Sequence, residues 1–149
     1  MPEQKIEEYM TFNLGNTEYA IELPKIREIL TYPELITPLP NTEKYVKGLV
    51  NLRGEVVPVL DLRVKFGIEA IFNENTAVIA ILTNDKRMLG IVVDKVDDVD
   101  KLDSNNLSPA SDMSSSIPLK YIKGYSVQEG NNMLVVMDIE ATISREELS

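Results

Sequence analysis

The sequence predicts an all-β fold made of two small β-barrels, and three observations support it. Short apolar runs are punctuated by Gly, Asn and Asp turns; helical spacing is confined to brief segments; and the second half of the chain repeats the first. The repeat is the most informative of the three. Residues 20–29 align with residues 90–99 at an offset of 70, matching in apolar spacing, in a Lys (Lys25, Lys95) and in an acid (Glu28, Asp98). Further on, Lys47-Gly48, Gly54 and Asp61 align with Lys123-Gly124, Gly130 and Asp138, at an offset of 76 that grows to 77 after Gly130. After a polar lead, residues 1–8, the halves run over 9–67 and 75–143 within a domain spanning 9–149. Each copy is about 70 residues of short, non-local strands, so the two are expected to be related by a pseudo-twofold and to share an apolar seam.

Taken in order, alternation over residues 9–14, a Gly15-Asn16 turn and a second run over 19–23 predict a hairpin. Pro24 suits the first turn of a helix, and Ile26, Ile29 and Leu30 share one side at helical spacing, which predicts a short helix over 25–30. Pro33, Pro38 and Pro40 keep the next stretch extended and irregular. A central hairpin follows over 47–62, then a short helix over 62–66, capped by Asp61 and closed by Gly67. Beyond a polar connection at 73–75, strands at 77–82 and 88–93 are joined by an Asn84-Asp85 turn. Residues 94–103 carry aspartates at 94, 97, 98, 100 and 103 between Val96, Val99 and Leu102, a pattern that marks a charged edge discouraging strand-to-strand association. The Ser-, Asn- and Pro-rich residues 104–118, with Ser114-Ser115-Ser116, predict a flexible insertion. A last hairpin, 121–127 with 132–137, leads into an amphipathic helix over 138–147, with Asp138 as N-cap and Ile139 and Ile143 on one face.

The central hairpin organises the rest. Two Leu- and Val-rich runs are separated only by Arg53-Gly54-Glu55, where Gly54 supplies the positive φ of a tight reversal. Leu49, Asn51 and Arg53 point to one face and Val50, Leu52 and Gly54 to the other, so Arg53 leaves the sheet where an apolar surface ends. Two accounts of that cation stand side by side: a solvated turn residue, or an interface anchor that grips a carboxylate or amide while its stem packs on apolar neighbours. Pro58 has no amide donor, which predicts an edge strand or a bulge there.

Composition removes whole classes of function. With 149 residues, 44% of them hydrophobic, the chain can bury a real core. A net charge of -9 opposes binding to nucleic-acid phosphates or anionic lipid. There is no Cys and no His, hence no thiol nucleophile, no thiolate metal site, no imidazole base and no phosphohistidine. No apolar run is long enough to span a bilayer or serve as a leader, so a cytoplasmic, non-enzymatic protein is expected.

These residues carry a resemblance. The run 48–62, with Asn51-Leu52-Arg53-Gly54, Pro58-Val59 and Asp61-Leu62-Arg63, followed by Gly90-Ile91-Val92-Val93-Asp94, is similar to the paired motifs of the CheW-like family. Members of that family are adaptors that couple chemoreceptors to the histidine kinase CheA in bacterial chemotaxis. The resemblance covers roughly residues 9–143 and implies two intertwined five-stranded, SH3-like β-barrels with an apolar groove between them. It implies a non-catalytic adaptor without cofactor. Its partners would be the cytoplasmic tip of a methyl-accepting chemoreceptor and the regulatory β-domain of CheA, with no nucleic acid and no direct membrane contact. The receptor tip would lie in the groove against Ile26, Ile29, Val96 and Val99, with Glu28 and Arg53 at the rim. The kinase would meet a barrel edge through Gly48, Val50, Asn51 and Gly90. Ordinary core burial is the competing account of the four groove residues. Arg27 and Asp97 beside them carry opposite charges. The same domain also ends CheA and precedes a receiver domain in CheV; the short lead before Tyr9 and the stop at Ser149 point to a free-standing adaptor instead.

Other constellations are weaker. The aspartates at 94–103 lack the Gly and Glu that a calcium loop requires, and no glycine pattern forms a phosphate cradle. Asp61 and Asp138 could in principle do acid–base work, but both sit where helix caps belong. The functional alternative is a small-ligand-binding or carboxylate-based hydrolytic β-barrel, disfavoured by the missing His and Cys.

Overall fold

The computed structural model describes residues 3–32, 36–112, 115 and 117–144. Among them, ten strands and two one-turn α-helices follow the order β1 (Ile6–Leu14), β2 (Thr17–Glu22), β3 (Ile26–Thr31), β4 (Val46–Leu52), β5 (Glu55–Asp61), α1 (Leu62–Lys65), β6 (Ala77–Leu82), β7 (Met88–Val93), β8 (Lys95–Asp103), β9 (Ile122–Val127), β10 (Met133–Met137) and α2 (Ile139–Thr142). The strands form two five-stranded sheets, ordered β8-β1-β2-β10-β9 and β3-β6-β7-β5-β4. The two orders coincide when β1 to β5 are matched with β6 to β10. Each sheet therefore takes two strands from one repeat and three from the other, which is the mostly-β fold the sequence predicts with the intertwining the resemblance implies. No described helix is long and apolar enough to cross a membrane.

The described residues of 1–12, 16–23 and 97–149 form one compact unit, and those of 13–15 and 24–96 form the second. In the first, Tyr9, Ala20, Leu102, Leu134 and Val136 make a buried cluster, and Phe12 stacks on Tyr19. In the second, Val50, Val57, Val59, Val78 and Val92 are the buried cluster, with Leu30, Tyr32, Ile36, Leu52 and Met88 packed against it. The near-continuous apolar run of β6 is buried on both faces, as expected of a strand flanked by β3 and β7.

The repeat is visible in the ladders themselves. β4 pairs with β5 as Val46↔Leu60 and then Gly48↔Val59, leaving Lys47 as a bulge; β9 pairs with β10 as Ile122↔Met137 and Gly124↔Val136, leaving Lys123 as a bulge. Val59 then pairs in parallel with Gly90, as Val136 does with Ala20. Both bulged strands carry an outer bridge, Thr37↔Leu49 and Ser108↔Tyr125. The close approach of these bridges explains the glycines: a Cβ on Gly48 would lie 2.1 Å from the Thr37 carbonyl oxygen, and one on Gly124 would lie 2.7 Å from that of Ser108. Asp61 and Asp138 both cap: the Asp61 carboxylate accepts from the Arg63 amide and the Asp138 carboxylate from the Ala141 amide.

Several expectations are corrected. Residues 25–30 are not a helix; after a 3-10 turn at Leu23–Lys25, β3 runs antiparallel to β6, with Ile26, Glu28 and Leu30 more buried than Arg27, Ile29 and Thr31. The i, i+3, i+4 apolar spacing was overridden because β6 needs a partner along its edge. The strand holding Pro58 is not at an edge, since β5 lies between β7 and β4. Pro58 fits there because its partner Leu49 directs its own amide and carbonyl to Thr37, so this is a non-hydrogen-bonded pair, and the pairing with β7 begins only at Val59. The final helix is one turn, ending at the C-cap Ile143; its expected extension to Glu147 enters residues outside those described. Pro33, Ser114 and Ser116 also lie outside them. The described part of the 104–118 loop is tied down, through the Ser108 bridge and the buried Ile117.

Candidate functional site

The β4–β5 hairpin turns over two residues, Arg53 (φ 53°) and Gly54 (φ 84°), rather than three. Both φ values are positive, as a type I′ turn requires, and the Gly54 amide donates to Asn51 Oδ1 at 3.0 Å. Gly suits this conformation and Arg does not, by roughly 1 kcal/mol. An arginine held there, with its side chain 85% exposed, is not explained by local stability. Its Nη2 lies 3.5 Å from Glu28 Oε1, so the tip joins β4 to β3, the opposite edge strand of the same sheet. Around this pair is a cleft of roughly 230 Å³, with Leu52, Ala80 and Met88 on its apolar side and Arg27, Glu28, Arg53 and Glu55 supplying charge.

The base of the hairpin is as buried as its tip is exposed. Arg63 is fully buried; its Nε and Nη2 donate to the two Asp61 oxygens at 3.0 Å, and its Nη1 donates to Asp94 Oδ1 at 2.9 Å and to the Ile71 carbonyl at 2.6 Å. Asp94 Oδ2 in turn accepts from the Gly15 amide at 2.7 Å. Burial lowers the pKa of Arg63, but its hydrogen bonds to Asp61 and Asp94 outweigh that and hold it above its ordinary value. Asp94, expected on a solvated edge, is instead part of this anchor. The dipeptide spacing of Asp61 and Arg63 was visible in the sequence; their pairing with Asp94 was not, because nothing local encodes a contact 31 residues away.

Of the residues assigned to the receptor, Ile26 and Val96 are half-buried, while Ile29 and Val99 are 41% and 44% exposed. None of the four belongs to the buried core, so the core-burial account fails for them. Ile26, Glu28, Ile29, Arg53 and Val96 lie in the second unit, Val99 in the first. Glu28 and Arg53 are joined directly, by their ion pair. Of the residues assigned to the kinase, Gly48, Val50 and Gly90 are buried, and a Cβ on Gly90 would come within 2.9 Å of Val78 Cγ1. These three shape the sheet and offer no side chain to a partner; Asn51 alone is exposed, and it braces the turn. Asp61 and Asp138, the carboxylates of the hydrolytic alternative, are both occupied as caps. On β2, burial and then a hydrogen bond with Asp97 of the acidic edge strand β8 raise the pKa of Glu18, and no described group of three or more acidic residues is arranged to hold a metal ion.

Comparison with known proteins bears on this site as a whole. The family described as the CheW-like domain matches residues 8–147. The chain is 40% identical over 144 residues to the chemotaxis protein CheW of Klebsiella aerogenes, covering 96% of this chain and 85% of that one. It is 30% identical over 143 residues to the chemotaxis protein CheW of Treponema pallidum, covering 93% and 83%. The crystal structure of the scaffolding protein TtCheW from Thermoanaerobacter tengcongensis superposes with a TM-score of 0.81 at 22% identity, over 97% of this chain and 92% of that one, and so shares the fold.

Proposed function

Because the chain belongs to the CheW-like family, we propose that it is a non-catalytic chemotaxis adaptor that couples the cytoplasmic tip of a chemoreceptor to the histidine kinase CheA. The observation that carries the reading is Arg53: a strained, exposed cation on an anchored hairpin, set beside Glu28 and an apolar cleft. Ile26, Ile29 and Val96 are kept out of the core on the same unit, and with Glu28 and Arg53 they are the proposed receptor contacts; Val99 is proposed as a further one. The kinase's regulatory β-domain is proposed to meet the outer side of the β4–β5 hairpin at Asn51, with Gly48, Val50 and Gly90 setting its shape from within.

Reconstitution with purified CheA and a receptor cytoplasmic fragment tests this. The chain is expected to co-sediment with both, and Val96→Asp is expected to abolish receptor binding while leaving the circular dichroism spectrum unchanged. A charge buried without a partner in an apolar contact costs several kcal/mol, or about 2 when partly solvated. A folded Val96→Asp variant that binds receptor normally removes Val96 from the interface. Retention of a small molecule with neither protein partner bound favours the ligand-binding alternative.

A further inference from the structure

The two lysine bulges have different surroundings. In the first unit Lys123 Nζ lies 2.5 Å from Glu22 Oε1, so the bulge presents its ammonium to a carboxylate within the fold. In the second unit the repeat-equivalent Lys47 makes no ion pair among the described residues, and its Nζ stands 5.6 Å from the centre of the Phe72 ring. Phe72 is 48% exposed and its neighbour Ile71 56%. These apolar side chains sit on a backbone tied by hydrogen bonds: the Ile71 carbonyl accepts from Arg63 Nη1, Thr76 Oγ1 also donates to it, and the Asn73 amide donates to Thr76 Oγ1. Tyr32 packs edge-on against Phe72, with ring centres 4.8 Å apart.

From this contrast we propose that Lys47, Ile71 and Phe72 form a docking site for an extended acidic segment of a partner protein, one carrying an apolar side chain next to a carboxylate. The carboxylate takes the place that Glu22 fills for Lys123, and the apolar side chain covers Ile71 and Phe72. Charge complementarity selects the acidic occupant: on a chain of net charge -9, this bulge offers a cation with no carboxylate partner among the described residues, beside exposed apolar surface. The pre-ordered loop lowers the entropy lost on docking. The inference rests on the geometry of the second unit and does not depend on the receptor or kinase assignment.

The test is an NMR titration of the ¹⁵N-labelled full chain with a blocked seven-residue peptide alternating glutamate and leucine, beside the same peptide with glutamine for glutamate. Saturable shifts are expected at the amides of Lys47, Ile71 and Phe72, with at least about fivefold weaker binding of the glutamine peptide. Lys47→Gln is expected to weaken the glutamate peptide by a similar factor, while Lys47→Arg retains most of the affinity; both are surface changes whose undisturbed remaining spectrum reports the fold. Equal binding of the two peptides, unchanged affinity in Lys47→Gln, shifts confined to other regions, or no shifts at millimolar peptide would each overturn the proposal.

Discussion

The hairpin-and-cap modules β4–β5–α1 and β9–β10–α2 share their ladder register and differ in almost every exposed side chain. Both have a lysine bulge, a glycine under an outer bridge and a capping aspartate. Yet the tip is Arg53-Gly54 in one and Glu129-Gly130-Asn131 in the other. Two residues after the first cap stands a buried Arg63; the position equivalent by the offset of 77 is Glu140. The paired outer positions are Asn51 and Val56 in one hairpin and Val127 and Met133 in the other. The lesson is that the repeat preserves what the ladder needs and frees what the ladder does not use. Divergence at equivalent positions is therefore where function is to be sought.

If the anchor is what distinguishes the second unit, removing it should produce the largest effect. Arg63→Ala leaves Asp61 buried without its cation and is expected to cost about 3–5 kcal/mol, against under about 1 kcal/mol for Glu140→Ala, as measured by urea unfolding. A cost below about 1 kcal/mol for Arg63→Ala would remove the asymmetry. Next come the bridge glycines. Gly48→Ala combines a positive φ of 140° with a backbone clash and is expected to cost about 3 kcal/mol, while Gly124→Ala meets the clash without the positive φ and should cost about 1–2 kcal/mol. Equal costs would mean that the two outer bridges yield equally and that the closer approach at Thr37 has no consequence.

Each unit carries a tyrosine whose pKa burial raises, Tyr9 in the first and Tyr32 in the second, and Tyr9 moves further. In the first, burial, followed by the charges of Glu7 and Glu22, pushes Tyr9 up to about 12. Its folded value lies above the unfolded value near 10, so the phenol's contribution is whole below pH 10 and disappears as the pH rises through about 12. Wild-type protein should therefore lose about 2 kcal/mol more stability over that window than Tyr9→Phe, in unfolding curves taken at successive pH values. In the second unit burial, then the charge of Asp61, raises Tyr32 as well, so both proteins keep that response and the Tyr9→Phe difference isolates Tyr9. Parallel pH profiles of wild type and Tyr9→Phe would contradict the assignment.

How much of this was legible beforehand follows from range. The caps and the repeated halves were implied by offsets that local patterns reveal, because glycine, aspartate and apolar alternation each act within a few residues; the exchange of strands came only with the resemblance, and the lysine bulges show only in the ladders. The strand at Ile26–Thr31 was misread because Ile26, Ile29 and Leu30 satisfy a helical period over only six residues, and the pairing with β6 that decided the matter is tertiary. In the site, Arg53 and Glu28 were both marked as rim residues from their resemblance, but their ion pair, like that of Arg63 with Asp94, depends on how the sheet brings distant strands together. Gly48, Val50 and Gly90 stood out in the motif for a reason of packing, which a sequence cannot separate from contact.

The most direct test of the central claim is to measure receptor-fragment affinity and melting temperature together for Arg53→Ala and Arg53→Gly. Arg53 is exposed, so Arg53→Ala should shift stability by less than about 1 kcal/mol, and Arg53→Gly should leave the melting temperature unchanged or raise it by relieving the positive φ. Both variants are expected to bind the receptor fragment at least about tenfold more weakly, the loss of roughly 1.4 kcal/mol or more that a hot-spot arginine produces. Lowered melting temperatures with unchanged affinity would show Arg53 to be a structural turn residue and would contradict the account.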